Sequence, residues 1–194
     1  MISIQSGSGL PSNRRVRAVG PLQIELVPGA ALTPAMAGSI VALCTEAYEE
    51  PMDSVLTDFE GATHVLASLD GELASHAMWV PRRLRCGDSV WNTAYVEAVA
   101  TRPAHQGKGY ASAVLHELAS QITDFDIGVL SPSDPAFYAR LGWETWRGPL
   151  AIASDDGSLT PTPGEMVMIL RLPRSPALDL EATLVAEWRP GEVW

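Results

Sequence analysis

The spacing of apolar and polar residues changes period several times along the chain, and each change predicts an element. Residues 22–27, Leu-Gln-Ile-Glu-Leu-Val, alternate and predict a first strand with one buried face. From Pro34 to Tyr48 the spacing becomes helical, with proline at the opening position that a helix tolerates best. Two apolar runs, Thr63–Leu69 and residues 72–80, flank Asp70-Gly71, a dipeptide that favours a tight turn, so they predict a hairpin. Residues 90–100 read as a fourth, central strand. Between Gln106 and Thr123, the residues Ala111, Val114, Leu115, Leu118, Ala119 and Ile122 recur on one face, which predicts a helix packed on a sheet. Ile127–Leu130 is a short apolar run and predicts a buried fifth strand; a helix near residues 135–141 follows, ended by Gly142. Residues 166–172 and 180–188 predict closing strands, while residues 153–164, rich in Asp, Gly, Ser, Thr and Pro, read as a surface loop. Residues 1–20 read as a flexible arm, with Arg14, Arg15 and Arg17 as solvated charges.

Composition narrows the class. A chain of 194 residues with 46% hydrophobic and 19% charged residues suits one globular domain, expected over residues 21–194. No apolar run is long enough to span a membrane, and the first twenty residues lack an apolar signal core, so a cytoplasmic protein is expected. The net charge of −10 argues against a nucleic-acid partner, which needs a basic footprint, and favours a cationic ligand. Cys44 and Cys86 lack metal-binding spacing and read as free thiols. The four histidines, His64, His76, His105 and His116, are scattered, so no metal site is expected.

The segment with the most chemistry runs from Tyr95 to Ala111, an apolar strand feeding a glycine-bearing helix start. Backbone N–H groups at a helix start have no earlier turn to bond, so those from Gly107 to Ala111 are free to meet a phosphate, assisted by the helix dipole. Gly107 and Gly109 remove side chains from that approach. A glycine pair alone fits an ordinary loop and cap equally well. There is no G-x-x-x-x-G-K-[ST] pattern and no G-x-G-x-x-G followed by a distant acid, which disfavours nucleoside-triphosphate and dinucleotide sites. Glu97 is the only carboxylate in the run 94–100, where partial burial would favour its neutral form and suit it to be a general base.

Gln106-Gly-Lys-Gly109-Tyr-Ala111 matches the Q/R-x-x-G-x-G/A signature of the GCN5-related N-acetyltransferases, between a strand and a helix as in that family. Phe137-Tyr138-Ala-Arg-Leu-Gly142-Trp143 resembles the family's second segment after the fifth strand. The ending Glu187-Trp188-Arg189-Pro-Gly191-Glu192-Val-Trp194 further resembles the aminoglycoside 2′-N-acetyltransferases, whose chains close in a W-R-x-G-D/E-x-W tail.

The resemblance implies an α/β (α+β) fold, one domain with a mixed, mostly antiparallel central sheet flanked by helices. It implies acetyl-CoA as donor, with Val99, Ala100 and Thr101 along the pantetheine arm and Gln106, Gly107, Lys108, Gly109, Tyr110 and Ala111 around the pyrophosphate. Glu97 becomes the base and Tyr138 the acid that faces the thioester sulfur. Ala98, Ser131, Glu165, Glu192 and Trp194 fall on acceptor positions beside Glu97. One departure concerns the segment after the first helix. The family's aminoglycoside enzymes carry Gly-Asp-Phe and a further aspartate there, whereas this chain has Tyr48-Glu-Glu-Pro-Met-Asp53. Glu49, Glu50 or Asp53 takes over that role, and Pro51 implies a different backbone, which admits a smaller aminoglycoside such as kasugamycin. A homodimer is also implied. Two other functions fit the same residues: acetylation of another cationic metabolite or peptide amine, and a sensor that binds acetyl-CoA and a cation without turnover.

Overall fold

The computed structural model describes residues 16–19, 22–56, 59, 61–154, 156–191 and 193–194, with only the backbone described for 16–19. In chain order the strands are β1 (Val16–Val19), β2 (Leu22–Pro28), β3 (Thr63–Leu69), β4 (Glu72–Cys86), β5 (Ser89–Thr101) and β6 (Ile127–Leu130). They continue as β7 (Glu144–Thr145), β8 (Leu150–Ala153), β9 (Leu159–Pro161), β10 (Met168–Arg171) and β11 (Leu184–Glu187). The helices are α1 (Pro34–Tyr48), α2 (Tyr110–Gln121) and α3 (Pro135–Ala139).

The strands of the described residues join in one sheet in the order β1-β2-β3-β4-β5-β6-β10-β7, and β11 bridges β4 to β8, on whose other edge β9 pairs. All pairs are antiparallel except β5–β6 and β8–β11. The predicted hairpin β3–β4 forms. Strand β4 runs on to Cys86 and turns through Gly87-Asp88 into β5, so it is longer than the sequence pattern suggested. Pro81 sits inside it, pairing Ala94 of β5, at a point where β3 has ended and β11 has not yet begun. Its missing N–H therefore breaks no ladder on the open side. The segment read as a surface loop contains β9, and the stretch read as an arm ends in β1, which pairs with β2.

Both faces of the sheet are covered. On one, α1 contributes Ile40, Leu43 and Cys44 to a core with Leu66, Met78, Val80, Trp91 and Tyr95. On the other, α2 contributes Val114, Leu115 and Leu118 to a core with Val65, Ala77, Trp79, Ala94 and Val96. This double cover explains why Leu73 through Val80 are buried without a break and why the run shows no alternation in sequence.

Strand β5 carries the irregularity that builds the site. Tyr95 packs on the α1 side and Val96 on the α2 side, yet beyond Glu97 the parity inverts: Ala100 joins the α1 side and Val99 the α2 side. The register shows the cause, because Met78 pairs with Glu97 but His76 pairs with Ala100. One extra residue is inserted, and Ala98 takes φ +49 to accommodate it. On its other edge β5 pairs in parallel with β6 only from Thr93 to Tyr95, after which the two strands part and leave a cleft.

Candidate active site

Two cavities meet in that cleft. The first, about 570 Å³, is lined by Val99, Thr101, Gln106, Gly107, Gly109, Tyr110 and Ala111, together with His105, Ser112, Asp134, Phe137 and Arg140. The second, about 320 Å³, is lined by Glu97, Ala98, Glu50, Ser131 and Trp194, with Tyr48, Met52, Val55 and Phe59. Val99, Ser133 and Tyr138 line both, so the junction is made by the bulge, the loop after β6 and α3.

The turn before α2 has the anion-cradle geometry. Pro103–His105 form a single 3-10 turn, Gly107 has φ +72 and Gly109 φ +83, and α2 starts at Tyr110. A Cβ on either glycine would meet no protein atom within 4 Å. Positive φ, rather than room inside the protein, is therefore what this chain asks of them. Gly109 caps α2 without a side-chain hydrogen bond, which leaves the first N–H groups of the helix facing the cavity. The Gln106 side chain donates to Thr101 O at 3.3 Å and ties the turn to the end of β5. Lys108 donates to Ala104 O and does not line the cavity, and Ala100 is buried in the core. A diphosphate fits the cradle, and an extended amide chain fits along the free edge of β5.

Tyr138 is 5% exposed and sits at the junction of the cavities. Asp134 caps α3 by accepting from the N–H groups of Ala136 and Phe137, and Phe137 and Trp143 pack edge-on against the tyrosine ring. Burial, and secondarily the Asp134 charge, push its hydroxyl up to about 12, so it remains a proton donor at neutral pH.

Glu97 immediately precedes the bulge and lines the second cavity. Its Oε1 accepts from Arg189 at 2.5 Å, and both side chains are 17% exposed. Arg189 is in the C-terminal tail and also lies over the rings of Phe59 and Tyr95, at 5.0 and 5.6 Å. The tail is docked from two sides: Arg82 donates to the carbonyls of Glu187 and Val193, and Trp194 Nε1 donates to Thr162 at 2.9 Å.

The residues expected at the acceptor divide. Glu50, Glu97, Ala98, Ser131 and Trp194 come together in the second cavity. Glu49 ends α1 with φ +59 and, like Asp53 in the following turn, does not line it. Glu165 lines a separate cavity with Pro149 and Thr162, and Glu192 lies outside the described residues. Arg189 belongs to the tail motif, but nothing in the motif marks it as the partner of Glu97. Ser133, Arg140 and Phe59 carry no sequence signal that marks them, since only the tertiary fold brings them to the cleft. Cys44 and Cys86 are both free, and burial pushes the Cys44 thiol up to about 12.

A model of the Acetyltransferase (GNAT) domain matches residues 40–146. An aminoglycoside 2′-N-acetyltransferase of Mycolicibacterium fortuitum is 36% identical over 141 residues, covering 69% of this chain and 72% of that protein. Among solved structures, a GNAT family N-acetyltransferase from Escherichia coli in complex with CoA superposes with a TM-score of 0.60 at 18% identity, over 89% of this chain and 93% of that one. A probable N-acyltransferase from Enterococcus faecalis gives a TM-score of 0.54 at 20% identity over 63% of this chain, which spans only 32% of that longer chain. The structural likenesses concern the fold.

Proposed function

The chain belongs to the GNAT acetyltransferases, and on that footing we propose that it acetylates the 2′-amino group of an aminoglycoside with acetyl-CoA as donor. The observation that carries this reading is the meeting of two cavities at Tyr138. One has a diphosphate cradle; the other sets the carboxylates of Glu50 and Glu97 beside aromatic and apolar side chains. The 36% identity to the M. fortuitum enzyme supports the class of acceptor.

In the proposed reaction the amine attacks the thioester carbonyl, forming the C–N bond and breaking the C–S bond. Glu97 takes one proton from the ammonium before attack, Tyr138 protonates the leaving thiolate, and the second proton lost by the nitrogen restores the Tyr138 hydroxyl. Asp134 and the edge-on aromatic rings fix Tyr138 in place. The bulge turns Glu97 and Val99 toward the cleft from opposite sides of one inserted residue.

The second cavity is small and, among the described residues, its lining includes the carboxylates of Glu50 and Glu97. That supports an acceptor with few ammonium groups, and kasugamycin is the smaller aminoglycoside to try first. We place the reaction in the cytoplasm, where acetyl-CoA is made, and read the enzyme as a homodimer; light scattering tests the dimer. The functional test is thiol release from acetyl-CoA with a panel including kasugamycin and gentamicin-type drugs. The expected result is turnover with at least one, reduced by Glu97→Gln about 100-fold or more, as loss of a general base gives. Thiol release with none of them would reject the aminoglycoside acceptor and favour another cationic metabolite or peptide amine.

A further inference from the structure

Behind the bulge, three adjacent strands carry a line of polar groups through an apolar interior. His64 on β3 and His76 on β4 are 2% and 0% exposed. His64 Nδ1 lies 3.0 Å from His76 Nε2, and His76 Nδ1 lies 2.9 Å from the carbonyl oxygen of Ala98, the residue with positive φ. Neither ring lines either cavity.

The bonding allows one arrangement of protons. A carbonyl oxygen only accepts, so His76 Nδ1 carries the hydrogen and donates. Nε2 of that neutral ring is then an acceptor, and His64 Nδ1 must carry the hydrogen that fills it. Burial pushes both imidazoles down, His64 to about 4 and His76 to about 3, the latter also through its neighbour's charge, so both rings are neutral at assay pH. On the cavity side, the Tyr48 hydroxyl donates to the next carbonyl, that of Val99, at 3.1 Å. Two successive carbonyls are thus held by side chains from different elements, which keeps β5 from slipping into a regular ladder and turning Glu97 to the wrong face.

We propose that His64 and His76 are positioning residues for acetyl transfer: their chained hydrogen bonds lock the Ala98–Val99 bulge and thereby set Glu97 and the Val99 backbone in register with donor and acceptor. The proposal rests on Glu97 as the base.

Long-range proton–nitrogen correlation spectra of the imidazoles read the tautomers in the wild-type protein, and kinetics read the consequence. Both rings are expected as neutral Nδ1–H tautomers. His76→Leu, which removes the donor, is expected to lower kcat about 10- to 100-fold, as a small misplacement of reacting groups does, with the KM for acetyl-CoA changed less than about threefold. His76→Asn, which keeps a donor near the Nδ1 position, restores most of kcat. An Nε2–H tautomer at His76, a His76→Leu enzyme with wild-type kcat, or a His76→Asn enzyme no better than His76→Leu would overturn the proposal. If His76→Leu does not fold, His76→Asn is compared with His76→Gln, whose donor falls nearer the Nε2 position; the asparagine must be the faster enzyme. A wild type that acetylates none of the acceptors is a different result: it defeats the proposed function and the positioning role together, whatever the spectra show.

Discussion

At the scale of single residues, the Glu97–Arg189 pair is the contact on which the proposed acceptor chemistry depends. The two side chains come from β5 and the tail, and they meet with little solvent around them. Removing the guanidinium by Arg189→Ala takes away the group that holds the Glu97 side chain, so kcat with a turned-over acceptor is expected to fall about 10-fold, as a small misplacement of a reacting group gives. Arg189→Lys should restore part of the rate, and an Arg189→Ala enzyme with wild-type kcat would show that the pair does not position Glu97. The histidine pair, besides holding the bulge, makes stability depend on pH. Both imidazoles have folded values below the ordinary 6.5, so in the window from about 6.5 down to about 4 the unfolded chain binds protons that the folded one refuses. The sign is therefore loss of stability as pH falls, at up to about 1.4 kcal/mol per pH unit for each ring. Urea midpoints measured from pH 7 to 4 should show a shallower fall in His76→Asn than in the wild type.

At the scale of elements, the turn before α2 and the interior of α1 make opposite demands on glycine. Gly109 has φ +83 with open space around it, so Gly109→Ala introduces no clash but strains the backbone by about 1 kcal/mol and turns the first N–H groups of α2. The expected result is a KM for acetyl-CoA raised several-fold, with kcat nearly unchanged. Gly38 lies inside α1, exposed and with nothing within 4 Å of an added Cβ. Gly38→Ala should stabilise the protein by about 0.5–1 kcal/mol, read as a higher urea midpoint. If both variants behaved alike, the distinction between a φ requirement and an ordinary helix position would fail.

At the scale of the whole molecule, the sheet divides the labour. The end of β5, the glycine turn, the start of α2 and α3 line the first cavity, whereas the end of α1, the following turn and the tail close the second. The tail reaches it because β11 pairs with the far end of β4, where Arg82 grips the carbonyls of Glu187 and Val193. Ending the chain after Glu187 should therefore abolish acceptor turnover while calorimetry finds CoA affinity changed less than about threefold. A matching loss of CoA binding would mean that the two cavities do not act as separate compartments.

How much of this was legible in the chain depended on the range of the interactions. The glycine turn, the capped helices and the β3–β4 hairpin are written locally, in φ preferences and apolar spacing, and they could be read from the sequence. The roles proposed for Gln106–Ala111, Glu97 and Tyr138 rest in addition on the family resemblance, since spacing alone fits a loop glycine pair and a core aromatic as well. The length of β4 was not readable, since burial on both faces erases alternation and Pro81 looks like a breaker until its open edge is seen. The bulge was hidden for a related reason: an inserted residue shows only in register against β4. The sequence by itself determined the main helices, the β3–β4 hairpin and the glycine turn before α2, because those follow from each residue and its near neighbours. Only the tertiary structure decided that Arg189 answers Glu97, 92 positions away, and that His64 and His76 stand behind Ala98, because those bonds exist only when distant strands have paired.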